Sequence, residues 1–172
     1  MIKQIVFLLL FLTNYVNAYN FLVFCPLFGH SHTTFFAQIA DTLSEAGHNV
    51  TFFSPTILHT YENVTYVKST KHVVKLPASE ELIALSDVFD TPDMTKFWST
   101  DSSLFEFLPT IKLFQKMHQL QSEWMFENRE LLDDLKRDYT YDAMIYESFV
   151  FQAYPVMDYL GIKTQIPAAS VF

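Results

Sequence analysis

The fold is decided by residues 21–53, which read FLVFCPLFGHSHTTFFAQIADTLSEAGHNVTFF. The stretch opens with the continuous apolar run Phe21–Cys25, which is typical of a parallel strand covered on both faces. Ser31 is a good N-cap for the helix that follows, whose apolar positions fall on one face. Gly47 is expected to end that helix, and Val50–Phe53 is the next strand. The pattern predicts a β-α-β unit.

Strands and helices continue to alternate along the rest of the chain. Further strands are predicted at residues 64–67, 73–76, 143–146 and 163–166, and further helices at residues 77–88, 103–128, 131–137 and 149–160. This alternation predicts an α/β fold with a Rossmann-like, mostly parallel sheet. Ligands of such sheets bind at the carboxyl ends of the strands. Two predicted strand ends carry titratable side chains: the loop His30-Ser31-His32 and Glu147.

The first residues and two glycosylation sequons indicate the secretory pathway. Residues 1–18 have a lysine, an apolar run and small residues placed for cleavage after Ala18, which is typical of a signal peptide. Residues 19–172 would then form the domain, in the lumen of the endoplasmic reticulum or secreted. Asn49 and Asn63 each begin an Asn-x-Thr sequon and are predicted glycosylation sites.

Composition narrows the classes of partner. The net charge of -8 argues against nucleic acid and anionic membrane as partners. Cys25 is the single cysteine, which excludes an internal disulfide and a cysteine zinc site, and its apolar neighbours predict a buried, inert thiol. After residue 18 no stretch is long and apolar enough to be a transmembrane anchor. The 18 phenylalanines form a core, or partly line a pocket for an apolar ligand.

Glycine usage bears on nucleotide binding. The chain has three glycines, Gly29, Gly47 and Gly161. A dinucleotide fingerprint needs three closely spaced glycines, and a P-loop needs a glycine-rich loop that ends in Gly-Lys-Ser/Thr. Neither motif occurs, so no nucleotide is bound by those two devices.

His32 is the leading candidate for a general base. It falls in the first turn of a predicted helix, where the helix dipole disfavours a positively charged imidazole, and a neutral imidazole can accept a proton from an alcohol. Glu147 could hold the other ring nitrogen. The alternative is a histidine near a helix end and an unrelated surface glutamate. A His30/His32 metal pair is a further alternative, although no third ligand is indicated. The sequence indicates no constellation around His59, His72 or His118.

Several segments resemble a known family. Phe28–His32, residues 39–43 and residues 46–51 are similar to the N-terminus of UDP-glucuronosyltransferases, within the wider UDP-glycosyltransferases, and the similarity resumes at Tyr141–Glu147. The resemblance implies an inverting transfer of a glucuronosyl or other hexosyl group from a UDP-sugar to a hydroxyl of a small lipophilic acceptor. It implies that His32 is the catalytic base and that Glu147 stands where the family usually has an aspartate. UDP-sugar would be the co-substrate, with no further cofactor and no metal.

The same resemblance sets expectations about the rest of the protein. Members of the family have two Rossmann-like domains, of which the second holds the UDP-sugar, and a C-terminal helix anchors them in the membrane. Residues 19–172 would be the leading part of the acceptor-side domain of a glycosyltransferase-B fold, without the donor-binding domain. Three interpretations stay open: part of a complete enzyme, a non-catalytic lumenal binder of apolar ligands, or a short isoform that associates with full-length transferases.

Overall fold

The computed structural model describes residues 18–89 and 104–170. The signal peptide predicted for residues 1–18 lies, except for Ala18, outside this part of the chain. Within it, the elements in chain order are β1 Asn20–Phe24, α1 His30–Glu45, β2 Asn49–Pro55, a 3₁₀ turn His59–Tyr61, β3 His72–Leu76, α2 Glu80–Phe89, α3 Leu104–Glu127, α4 Glu130–Asp138, β4 Ala143–Glu147, α5 Ala153–Leu160 and β5 Gln165–Ala168.

The described strands form a parallel sheet in the order β3-β2-β1-β4-β5. From β1 the chain first builds one side of the sheet through β2 and β3, and then returns to build the other side through β4 and β5. The strand order therefore reverses between β1 and β4, which are direct neighbours. In open parallel sheets the carboxyl ends of the strands at such a reversal leave a crevice in which ligands bind.

Both faces of the sheet are covered, which explains the uninterrupted apolar run in β1. Leu22 and Phe24 face one apolar cluster, which α3, α4 and α5 complete. Val23 and Cys25 face a second cluster, completed by α1. Because side chains alternate along a strand, two covered faces require apolar residues at every position. Cys25 is buried as predicted, and burial raises the pKa of its thiol, so the thiol stays protonated.

The prediction of a strand at residues 64–67 is wrong, because these residues form a loop. β3 pairs directly with β2, so this segment has no place in the sheet. Side chains from elsewhere hold the loop instead. The Asp41 carboxylate accepts backbone N–H bonds from residues 68, 69 and 70 at 2.7 to 2.9 Å. Lys75 donates to the carbonyl oxygen of Val64 at 3.1 Å.

Helix starts differ from the predictions at three places. Ser31 is not an N-cap, because α1 begins at His30 with Gly29 as its N-cap and no side-chain cap bond. The helix predicted from residue 77 begins at Glu80, where the Ser79 hydroxyl accepts the N–H of Leu82 at 3.2 Å. The helix predicted from residue 149 begins at Ala153, after turns at residues 148–152. These turns shape the site described below.

The remaining element predictions agree with the structure within one residue, except that β2 ends two residues later, and β5 begins and ends two residues later, than predicted. Gly47 follows the last turn of α1 with a φ of 90°, the left-handed conformation that favours glycine. Pro109 lies inside α3 without dividing it. Among the helices of residues 18–89 and 104–170, none combines the length and apolar character needed to cross a bilayer.

Candidate active site

The structure brings His32 and Glu147 together at the reversal of the strand order. His32 is the third residue of α1, directly after the loop that follows β1, and Glu147 is the last residue of β4. The His32 Nδ1 atom lies 2.9 Å from Glu147 Oε2, a hydrogen-bond distance. The His32 side chain is 21% exposed and the Glu147 side chain 1%. The glutamate is thus a buried partner of a histidine that solvent can reach.

Ser170 is a third member of the site, and it lies two residues beyond β5. Its hydroxyl donates to Glu147 Oε2 at 2.8 Å and also contacts His32 Nδ1. Its backbone N–H points to Glu147 Oε1 at 3.4 Å. Sequence reasoning missed this residue, because a serine after a short strand carries no pattern. Only the pairing of β5 with β4 brings it beside the glutamate.

These contacts favour one tautomer of His32. An ionised carboxylate only accepts hydrogen bonds, and the Ser170 hydroxyl already donates to Glu147. Beside an ionised Glu147, a His32 ring that carries its proton on Nδ1 donates to that carboxylate. In the neutral ring the Nε2 atom then keeps its lone pair, and it makes no hydrogen bond within the described residues. The arrangement leaves Nε2 able to accept a proton from a molecule bound in front of it.

Gly29 keeps room for the His32 ring. A Cβ atom at position 29 would lie 3.2 Å from His32 Cδ2, closer than ordinary van der Waals contact. The φ of Gly29 is -162°, an extended conformation that any residue adopts. The glycine therefore supplies space beside the imidazole, and its wider range of backbone conformations is not needed here.

Aromatic rings surround the imidazole of His32. The ring of Phe28 lies 4.8 Å from it between centroids, and the ring of Phe149 meets it edge-on at 5.5 Å. Phe28 in turn contacts Phe114 at 5.6 Å and Phe149 at 5.5 Å. We call Phe28, Phe114 and Phe149 the aromatic cluster. Phe149 is 40% exposed, so the cluster offers apolar surface to a ligand beside Nε2.

The other histidines have different surroundings. His30 packs against Tyr66 at 5.5 Å and has no bond to Glu147. Within residues 18–89 and 104–170, no three His, Cys, Asp or Glu side chains are close enough together to hold a metal ion. His48 accepts the backbone N–H of Tyr19 at 3.3 Å. His72 bonds the hydroxyl of Thr51 at 2.8 Å.

His118 has aromatic neighbours and one hydrogen-bonding side chain beside it. Its ring packs against Phe114 at 4.3 Å and against Phe28 at 5.7 Å. The amide nitrogen of Gln152 lies 2.7 Å from its Nδ1 atom. Burial lowers the pKa of His118, so the ring is neutral at neutral pH. The sequence gives no sign of this contact, because it joins the middle of α3 to the turn before α5.

The two sequons differ in their surroundings. Asn63 and the two residues after it are exposed in a loop. Asn49 begins β2, and its amide nitrogen donates to Asn20 Oδ1 at 2.9 Å. The threonine of that sequon, Thr51, is buried, and its hydroxyl accepts a bond from Tyr141 at 3.1 Å. In the folded chain only the sequon at Asn63 is open to solvent along its whole length.

Comparison with known proteins identifies the family that the chain resembles. No protein-family model matches it. It is 28% identical over 163 residues, 94% of its length, to the Caenorhabditis elegans protein named UDP-glucuronosyltransferase ugt-47. It is 25% identical over 157 residues, 91% of its length, to the protein of that organism named UDP-glucuronosyltransferase ugt-56. The predicted resemblance to the UDP-glucuronosyltransferases is confirmed. The chain spans 30% of the length of the first relative and 29% of the second.

A solved structure supports the fold. Os79 from O. sativa, in complex with U2F and a trichothecene, matches with a TM-score of 0.50 at 14% identity, over 83% of this chain and 28% of that one. At this identity the similarity shows the fold alone. Together with the sheet order it confirms the predicted fold class, a Rossmann-like α/β sheet of the glycosyltransferase-B type.

Proposed function

We propose that this sequence belongs to a UDP-glycosyltransferase of the glucuronosyltransferase kind. The reaction transfers a glucuronosyl or other hexosyl group from a UDP-sugar to a hydroxyl of a small lipophilic acceptor. The observation that carries the proposal is the bond of 2.9 Å between His32 and the buried Glu147, at the reversal of a parallel sheet. The names of the curated relatives supply the class of donor and reaction.

His32 is the base in this proposal. The acceptor hydroxyl donates its hydrogen to Nε2, and its oxygen attacks the anomeric carbon of the sugar from the face opposite the UDP. A carbon–oxygen bond to the acceptor forms while the bond to the diphosphate breaks. UDP leaves with the bonding electron pair, and the configuration inverts. The proton that the hydroxyl loses ends on His32, a step that contributes typically about 10²–10⁴-fold to a rate.

Glu147 and Ser170 have positioning and electrostatic roles. Proton transfer turns the imidazole into a cation, and the adjacent carboxylate stabilises that cation in a buried, weakly screened setting. Ser170 holds the carboxylate through its hydroxyl at 2.8 Å. Since glutamate has one more methylene than the aspartate expected from the family, this second anchor also restricts a longer and more flexible side chain.

We propose that the acceptor binds against the aromatic cluster. Phe28 and Phe149 flank the imidazole and can pack against an apolar ring whose hydroxyl points to Nε2. The donor is assigned to a second domain, because the sequence contains no glycine-rich phosphate loop and the relatives are much longer than the matched part. We place the protein in the secretory pathway, with a signal peptide at residues 1–18, a domain at residues 19–172 and a glycan on Asn63.

The test is transfer by a chimera in which residues 19–172 replace the matched segment of C. elegans ugt-47. UDP-glucuronate and UDP-glucose are offered with a naphthol, and UDP release and glycoside formation are both measured. The proposal expects a glycoside, and a rate lower by two to four powers of ten after His32→Ala. The matched control is His30→Ala, which should change the rate little because His30 packs on Tyr66. Full activity of the His32→Ala chimera would disprove the assignment of the base.

A further inference from the structure

A cavity of about 320 Å³ lies at the amino end of the sheet, opposite the candidate active site. Asn20 and Asn49, the first residues of β1 and β2, line it together with His72, the first residue of β3. We call this cavity the amino-end pocket. β1 has five residues and rises roughly 3.3 Å per residue, so about 16 Å of strand separates this end of the sheet from the His32 end. The amino-end pocket is therefore distinct from the site of His32 and Glu147.

The amino-end pocket has no negative side chain, although the chain is acidic. The chain has 19 Asp and Glu residues against 11 Lys and Arg, yet none of the described residues that line the pocket is Asp or Glu. Lys71 lines it, is exposed, and makes no ion pair within the part of the chain that the structure describes. Two neighbouring carboxylates are bonded elsewhere. Asp142 accepts the backbone N–H of Asn20 at 2.7 Å, and Asp138 pairs with Arg137 at 2.9 Å. The pocket thus offers a positive charge to an anion.

Two imidazoles that line the pocket also offer N–H donors. His48 accepts the backbone N–H of Tyr19 on Nδ1, so its neutral ring carries the proton on Nε2. Thr51 is buried and accepts a bond from the Tyr141 hydroxyl, and Nδ1 of His72 is the acceptor beside its own hydrogen. Burial lowers the pKa of His72, so this ring is neutral near neutral pH and then carries its proton on Nε2. Neither Nε2 atom makes a hydrogen bond within the described residues.

Aromatic rings supply the apolar part of the pocket. Tyr139 and Tyr141 both line it, and their rings stack at 5.7 Å between centroids with 26° between the planes. The ring of His72 packs on Tyr139 at 4.9 Å. Tyr139 is 37% exposed, so a molecule from solvent can reach these rings. A flat aromatic ligand can pack against them.

We propose that the amino-end pocket binds a small aromatic carboxylate of one or two rings. The rings of the ligand pack against Tyr139 and Tyr141. Its carboxylate pairs with Lys71 and accepts hydrogen bonds from the imidazoles of His48 and His72. A volume of about 320 Å³ is at the lower end of the range for small-molecule sites, about 300–1,000 Å³, which suits a ligand of this size. This inference concerns a second site and does not rest on the proposed function.

Binding of 2-naphthoate and 2-naphthamide to the ugt-47 chimera tests the proposal. The two ligands have the same rings and nearly the same shape, but only naphthoate is charged. Calorimetry should give naphthoate a Kd about tenfold lower, because a charge-assisted hydrogen bond is roughly twice as strong as a neutral one. Equal Kd values for the two ligands, or no binding of naphthoate, would overturn the inference.

Variants of the lining residues separate charge from ring contact. Lys71→Gln should weaken naphthoate binding about threefold to fivefold, since the ion pair of an exposed lysine is partly screened, and should leave naphthamide unchanged. Lys68→Gln is the matched control, because it removes the same charge from an exposed lysine of the same loop that does not line the pocket. Tyr139→Leu removes a ring and no charge, so it should weaken both ligands. Equal effects of the two lysine variants, or unchanged binding to Tyr139→Leu, would contradict the inference.

Phe149→Ala separates the amino-end pocket from the aromatic cluster. This change removes a ring beside His32 and should leave the Kd of naphthoate unchanged. A greater loss of naphthoate binding with Phe149→Ala than with Lys71→Gln would place the ligand at the aromatic cluster and overturn the inference. None of these measurements needs a UDP-sugar. A chimera that transfers no sugar but binds naphthoate through Lys71 would support the amino-end pocket and count against the proposed function.

Discussion

Replacement of Glu147 by glutamine removes one charge from the candidate site and little else. The carboxylate is buried and receives the His32 Nδ1 bond at 2.9 Å and the Ser170 hydroxyl bond at 2.8 Å. Glutamine has the same length and shape but one oxygen fewer to accept bonds. It can still orient the His32 ring through that oxygen. What it cannot do is stabilise the positive imidazole that forms as the acceptor loses its proton.

The size of the effect follows from the bond that is lost. A hydrogen bond to a charged group contributes about 1.5–3 kcal/mol, against about 0.5–1.5 kcal/mol for a neutral one. The difference, about 1–2 kcal/mol, corresponds to a rate lower by roughly fivefold to thirtyfold, since about 1.4 kcal/mol is tenfold. The effect should fall on kcat, because Glu147 lies behind His32 and does not face the acceptor. KM for the acceptor should change less than twofold.

Initial rates of UDP release by the ugt-47 chimera measure this effect, with Glu123→Gln as the control on an exposed glutamate. A Glu147→Gln chimera that is folded and keeps kcat within twofold of the parent would refute the electrostatic role of Glu147. A loss confined to KM would place the glutamate in acceptor binding instead.

Three further predictions concern other residues. Ser170→Ala should lower kcat by about threefold to tenfold, because the Glu147 carboxylate loses one hydrogen bond. The control is Ser148→Ala, which changes an exposed serine one residue after Glu147 and should leave kcat unchanged. Equal rates for the two variants would contradict a role for Ser170 in the site. In a eukaryotic secretory host, Asn63→Gln should abolish the mass shift on deglycosylation and Asn49→Gln should preserve it, because Thr51 of the Asn49 sequon is buried. The reverse result would contradict the assignment of the glycan to Asn63. Burial lowers the pKa of His118, so the unfolded chain binds its proton more readily and the free energy of unfolding should decrease as pH falls below about 6.5. Denaturant titrations should show a smaller decrease for His118→Phe, and an unchanged one would contradict the buried neutral ring.

The pairing of His32 with Glu147 could be suggested from the sequence, because both side chains follow predicted parallel strands and the family resemblance favours the pair. The apolar runs at residues 21–25 and 143–146 marked two parallel strands, and the carboxyl ends of neighbouring strands meet at one edge of the sheet. The chemistry of the two side chains then suggested their contact. The sequence did not show that β4 lies beside β1, so the alternative of two unrelated residues stayed open until the strand order was known.

Ser170 and the contact between Gln152 and His118 could not be predicted, because both depend on details of packing. Ser170 reaches Glu147 only because β5 pairs with β4 and ends beside it, and neither the end of a four-residue strand nor the path beyond it has a sequence pattern. Gln152 and His118 are 34 residues apart, on a turn and a helix that come together through the apolar core. The sequence also predicted a helix from residue 149 and so gave no sign of the turn that contains Gln152.

The most direct test of His32 as the base compares two acceptors in the His32→Ala chimera. One is a naphthol, which must lose its proton to react, and the other is a nitrophenol that is already ionised at the assay pH. Removal of the base should slow transfer to the naphthol by about 10²–10⁴-fold and transfer to the nitrophenolate far less, because that acceptor has no proton to give. Equal losses with both acceptors, or no loss with the naphthol, would contradict the role of His32 in proton transfer.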